Sequence, residues 1–111
     1  YEPRLDIDFE VELSEITDAL LTELGMLEPY AIGNPEPVLA ARSVEVVSQR
    51  VFKDKHLGLR LRQGSVSLDG IWFNSGEVST LLSKIDIVFT PEFNKWNGKK
   101  DIRLRILDVN L

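Results

Sequence analysis

The chain has 111 residues, the size of one ordinary domain, and its 43% hydrophobic and 28% charged residues are enough to bury a core and cover it. It contains no cysteine, which excludes a disulfide framework, a thiolate zinc site and a cysteine nucleophile, and no apolar run approaches the roughly 18 residues of a membrane span. The net charge of −5 hides an asymmetry: residues 1–40 carry ten acids against Arg4, a balance of −9, while residues 41–111 carry twelve Lys/Arg against eight Asp/Glu, a balance of +4.

Such a split is a cue that the second part meets a polyanion, although a solvated acidic helix beside an ordinary surface gives the same numbers. No secretory signal pattern opens the chain, and the lack of cysteine fits a reducing cytoplasm. Tyr1 rather than Met begins it, and a strand-like pattern starts within a few residues, as expected of a segment of a longer protein.

In chain order, residues 5–13 alternate Leu5, Ile7, Phe9, Val11 and Leu13 with Asp6, Asp8, Glu10 and Glu12, which predicts a strand with one buried and one acidic face. Carboxylates two residues apart on a strand line a solvated face; a hard-cation site usually recruits loop carbonyls as well. Ser14 offers an N-cap oxygen, with Glu15 and Asp18 in the first turn, and Ile16, Leu20, Leu24 and Leu27 form one helical stripe. Gly25 is the expected C-terminal stop. Residues 1–27 are therefore expected to form a strand-helix extension.

Residues 28–37 contain PYAIGNPEP, whose prolines remove amide donors and push their predecessors out of the helical region, so this stretch is expected to be a stiff linker. A second domain is expected over 38–111. Its elements are a long bent strand over 38–52, a polar turn at 53–56 and a hairpin of 57–63 with 66–73 about Gly64-Ser65. A short helix over 75–84, a strand over 85–92, a loop with an Asn-Gly turn at 93–100 and a last strand over 101–109 complete it. Five strands with a helix between the third and fourth, without repeats, predict a mainly β, five-stranded OB-fold Greek-key barrel preceded by the strand-helix extension. Gly58 and Gly70 suit its tight bends.

His56 is the only histidine, so neither a multi-histidine metal site nor a nucleophile-base-orienter set is available, and no catalytic residue is assigned. His56 itself reads as a structural turn residue, and Trp72 as core. Binding is better supported. A barrel of this type offers the face of its second and third strands, with the first-to-second and fourth-to-fifth loops, to single-stranded nucleic acid. Lys53, Lys55, Lys95, Lys99 and Lys100 fall in or beside those loops, and Arg60, Arg62, Arg103 and Arg105 point away from the apolar faces of their strands. Trp96 can either stack on a base or fold back onto the barrel.

The stretches LEPYAIGNPEPVL (27–39), KHLGLRL (55–61), LDGIWFN (68–74) and NKWNGKKDIRLRILDV (94–109) together resemble the C-terminal OB region of the RecJ family, in the DHH phosphoesterase superfamily. Residues 5–29 resemble the end of that family's DHHA1 domain and the helix that follows. The family tends to have Phe-Gly where this chain has Tyr30-Ala31, and often a glutamine near Arg103. The resemblance implies a parent that degrades single-stranded DNA from the 5′ end with Mn²⁺ or Mg²⁺ in recombination and repair. The metal ligands of such a parent lie upstream, so no cofactor is expected in this segment. Expected partners are single-stranded DNA and the DHH/DHHA1 nuclease core of the same chain. The alternative is an architectural or protein-interaction barrel docking on that core or on another repair protein.

Overall fold

The computed structural model describes residues 7–25, 36–53, 55–73 and 84–110. Its elements are β1 (Phe9–Glu10), a 3₁₀ turn (Leu13–Glu15), α1 (Asp18–Glu23), β2 (Leu39–Phe52), β3 (His56–Gln63), β4 (Val66–Trp72), β5 (Lys84–Trp96) and β6 (Lys99–Asn110). They form one sheet in the order β1-β2-β3-β4-β6-β5, closed by pairing of β2 with β5. The result is a closed five-stranded barrel with β1 as an extra strand, the OB fold that the strand order predicts. No helix among the described residues is long and apolar enough to cross a membrane.

Closure depends on the bend in β2. Its first part pairs with β5 and its second with β3, and the register shifts between Ala41 and Val44 and again between Val46 and Ser48. At the first bulge Ser43 has φ 54°, and its N–H donates to Asp86 Oδ1 at 2.9 Å. Such bulges sharpen the twist and let one strand serve two sides of a small barrel.

Period-two patterning fills the interior. Leu57, Leu59 and Leu61 of β3 point inward with Val44, Ile87, Phe89, Leu104 and Ile106, all buried. Gly70 lies where β4 crosses close to β6: a methyl group there would stand 3.1 Å from Leu61 Cδ1 and 3.4 Å from Ile106 Cδ1. Gly70→Ala should therefore cost about 1–3 kcal/mol by overpacking. Equal urea midpoints for variant and parent would show that the leucine yields without strain.

The acidic N-terminal part differs from expectation. The strand expected over 5–13 is only Phe9–Glu10 in the described residues, paired in parallel with Leu39–Ala40. Ile7 and Phe9, which the alternation assigns to a buried face, are 44% and 55% exposed, because β1 lies at the edge of the sheet and none of the described residues covers that face. Ser14 sits inside the 3₁₀ turn; the helix N-cap is Thr17, whose Oγ1 accepts from Leu20 N–H at 3.1 Å. Leu13, Ile16 and Leu21 are buried in the same core as the barrel strands. Gly25 follows the helix with φ 75°, as a C-terminal stop should.

The proline-rich stretch lies largely outside the described residues, but its end is fixed. Buried Thr90 donates from Oγ1 to the Pro37 carbonyl at 2.8 Å, and Val38 N–H donates to Asp8 Oδ2 at 2.8 Å. The helix expected over 75–84 also lies outside them, except Lys84, which opens β5. The loop expected at 93–100 is instead mostly strand. Asn97 and Gly98, with φ 47° and 74°, make a two-residue turn between β5 and β6, since Asn-Gly matches the twist of a tight hairpin. His56, expected in a turn, opens β3 opposite Phe52.

Candidate nucleic-acid interface

The barrel's outer face carries the polar half of each alternating strand. Cross-strand register lines Ser48, Arg60, Asp69, Arg103 and Glu92 into one row across β2, β3, β4, β6 and β5. The next row is Arg50, Gly58, Ile71 and Arg105, and beyond it Phe52 faces His56. These rows border an open groove of about 710 Å³ lined by Arg50, Phe52, Gly58, Arg60, Asp69, Ile71 and Arg103, among others. Arg50, Arg60 and Arg103 stand there against Asp69, with Glu92 paired to Arg103 at the end of the same row, so cations exceed carboxylates by one.

The arginines are held by carboxylates. Arg60 Nη1 lies 2.9 Å from Asp69 Oδ1, and Arg62 donates to Glu45 Oε1 from Nη2 at 2.8 Å and Nε at 3.2 Å. Arg103 donates to Glu92 Oε2 from Nε at 2.9 Å and Nη2 at 2.6 Å. Arg105 pairs with Glu36 and stands 3.5 Å from Glu92 Oε1, so a half-buried chain of charges runs from Arg103 to the end of the proline-rich stretch. The Arg60 and Arg62 pairs are substantially exposed and contribute about 0–1 kcal/mol each, little enough for a phosphate to replace the carboxylate.

Of the residues expected to bind nucleic acid, Arg60 and Arg103 line the groove. Arg62 lies farther along β3 beside Glu45, and Arg105 turns toward Glu36 and Glu92. Lys53 and Lys55 are exposed on the turn between β2 and β3, next to Phe52 and His56. Lys95, Lys99 and Lys100 are exposed at the β5–β6 hairpin, outside the groove lining; Lys95 stands opposite Lys100 in the ladder, and Lys100 Nζ is 4.4 Å from the centre of the Phe93 ring. The Trp96 backbone ends β5, and its side chain lies outside the described residues. Trp72 is half-buried against the core, as expected.

Sequence reasoning missed Arg50, Phe52 and Phe73. Arg50 lies over the Phe52 ring with its guanidinium carbon 5.9 Å from the ring centre. His56 stands 5.5 Å from Phe52 and 5.2 Å, edge-on, from Phe73, centre to centre. The available signal was a basic turn with an aromatic residue at each end.

Among the described residues no group of three or more His, Cys, Asp or Glu is placed to hold a metal ion. The outer face of the barrel thus gathers cations, an aromatic rim and an open groove. The fold places the chain among the OB barrels, a class in which this face commonly receives oligonucleotides.

The RecJ OB domain model matches residues 7–108, and the chain belongs to that family. It is 32% identical to the single-stranded-DNA-specific exonuclease RecJ of Bacillus subtilis over 112 aligned residues, covering 96% of this chain but only 14% of that relative. With the RecJ of Thermus thermophilus it shares 28% identity over 87 residues, covering 78% of this chain and 12% of the relative. The solved structure of Thermus thermophilus RecJ with Mn²⁺ superimposes with a TM-score of 0.63 at 25% identity, covering 83% of this chain and 13% of that one. The chain thus spans about one-seventh of its curated relatives.

Proposed function

We propose that this chain is the single-stranded-DNA-binding module of a RecJ-like 5′–3′ exonuclease acting in the cytoplasm in recombination and repair, with no catalytic centre of its own. The observation that carries this is the groove itself: Arg50, Arg60 and Arg103 converge with Phe52 on the face where OB barrels hold unpaired strands. Hydrolysis, with Mn²⁺ or Mg²⁺, belongs to a DHH/DHHA1 core elsewhere in the parent chain. Residues 1–27 are the end of the DHHA1 region, resting on the barrel at 38–111 through Leu13, Ile16 and Leu21, and residues 28–37 are the elbow that joins the two. The clamps on Pro37 and Glu36 support the elbow, because they hold its exit against β5 and β6.

The test is a titration of the chain with single- and double-stranded oligonucleotides at two ionic strengths. Neutralising roughly three to four phosphates gives an expected slope of log affinity against log salt of about −2 to −3. Salt-independent binding, or duplex bound as tightly as single strand, would count against the proposal.

One observation favours the docking alternative: Ile7 and Phe9 are exposed on residues 7–25, whose charged side chains are all acidic. If the chain binds no single strand, yet its deletion from the parent abolishes activity, docking is the better reading.

A further inference from the structure

The middle of the groove is neither charged nor filled. Gly58 and Ile71 face each other across β3 and β4, between the charged row of Arg60, Asp69 and Arg103 and the aromatic row of Phe52 and His56. Ile71 is only 8% exposed, yet it lies outside the interior cluster and contributes to the groove lining. A Cβ at Gly58 would touch the Phe52 ring at 3.6 Å, so the missing side chain leaves that part of the ring uncovered. Phe52 and Phe73 are both packed against the His56 ring, and Phe73 is still 43% exposed. An apolar floor about one side chain wide, an aromatic wall and arginines on both sides match the needs of a flat ring attached to a phosphate.

We propose that the Gly58–Ile71 floor, walled by Phe52, with Phe73 beyond His56 extending the aromatic row, receives one unpaired nucleobase while Arg50 and Arg60 hold its flanking phosphates. This deepens the reading of the groove as a single-strand site and rests on it. Every base has a π-face, so the subsite is indifferent to sequence, whereas a paired base buried in a duplex stack cannot enter it. The aromatic partner of the base is therefore the end of the β2–β3 hairpin, without need of Trp96.

The test compares a thymidine oligonucleotide with an abasic oligomer of equal length and charge, by fluorescence anisotropy with the whole chain. The base-bearing strand should bind about 5- to 100-fold more tightly, the worth of one stacked base. Gly58→Val should bring the base-bearing strand down to the abasic affinity, since its Cβ meets the Phe52 ring only at ordinary contact distance and the rest of the side chain occupies the floor. Phe73→Ala, at an exposed position that leaves the core intact, should reduce the same ratio. Arg60→Gln should weaken both strands together. Equal binding of the two oligomers by the unaltered chain, or an undiminished ratio in a folded Gly58→Val and in Phe73→Ala, overturns the base subsite. Failure of both oligomers to bind overturns the single-strand reading beneath it.

Discussion

Leu21→Ala is expected to lower the stability of the whole barrel by about 2–5 kcal/mol. Leu21 is fully buried, on a helix of only six residues. An isolated helix that short is not stable in water, so its order comes from tertiary packing. The packing is shared, because Leu13, Ile16 and Leu21 sit in one core with Leu57, Phe89 and Leu104. Polar contacts tie the same segment down. Leu13 N–H donates to Gln63 Oε1 at 2.7 Å, and Gln63 Nε2 donates onward to the Arg42 carbonyl at 2.7 Å. Against a total stability of about 5–15 kcal/mol for a domain of ordinary size, such a loss is large. Urea unfolding followed by far-UV circular dichroism and by tryptophan fluorescence should show one transition, moved to lower urea in both probes. Glu23→Ala, exposed on the same helix, should leave the midpoint nearly unchanged. If Leu21→Ala melts only the helix while the barrel midpoint stays put, the acidic segment is a separate unit resting on a barrel that does not need it.

The barrel was legible because period-two patterning survives in the strands that close it. Leu57, Leu59 and Leu61 alternate with Arg60 and Arg62, and the strand order follows from such runs. The acidic segment shows where alternation fails. It predicts that one face differs from the other, but not that a neighbour exists to cover it, and among the described residues Ile7 and Phe9 stay 44% and 55% exposed. The residues at 93–100 were misread for another reason. Their composition is that of a loop, yet an Asn-Gly turn consumes only two residues and lets cross-strand pairing continue to Trp96 and Lys99. The candidate face was half legible. Arg60 and Arg103 follow from strand parity alone. Arg50 and Phe52 do not, because the bulge between Val46 and Ser48 reverses which side of β2 faces out: Val44 is buried, whereas Ser48, Arg50 and Phe52 line the groove. A bulge is a single extra residue without a sequence signature of its own, and it moves every later side chain to the opposite face.

Replacing Arg60 and Arg103 together with glutamine is expected to weaken single-stranded DNA binding by about 10- to 100-fold and to flatten the salt slope by roughly 1.4, about 0.7 for each phosphate no longer neutralised. The fold should survive. The Arg60–Asp69 pair is exposed, and the Glu92 carboxylate freed by loss of Arg103 still has Arg105 beside it. Asp69→Asn should act in the opposite direction. Asp69 stands between Arg60 and Arg103 in the cross-strand row, so it competes with phosphate for Arg60 and repels the strand that approaches. Removing its charge should tighten binding several-fold and steepen the salt slope, because the exposed pair it breaks was worth only about 0–1 kcal/mol to the fold. The two variants form a signed test. A mutation that merely disturbs the surface weakens binding wherever it falls, whereas only a residue facing the phosphates strengthens binding when its negative charge is lost. If Arg60→Gln with Arg103→Gln binds like the parent and Asp69→Asn brings no gain, the strand does not lie in this groove. The opposed Lys95 and Lys100 of the β5–β6 hairpin, with Lys99 beside them, then become the next electropositive surface to test.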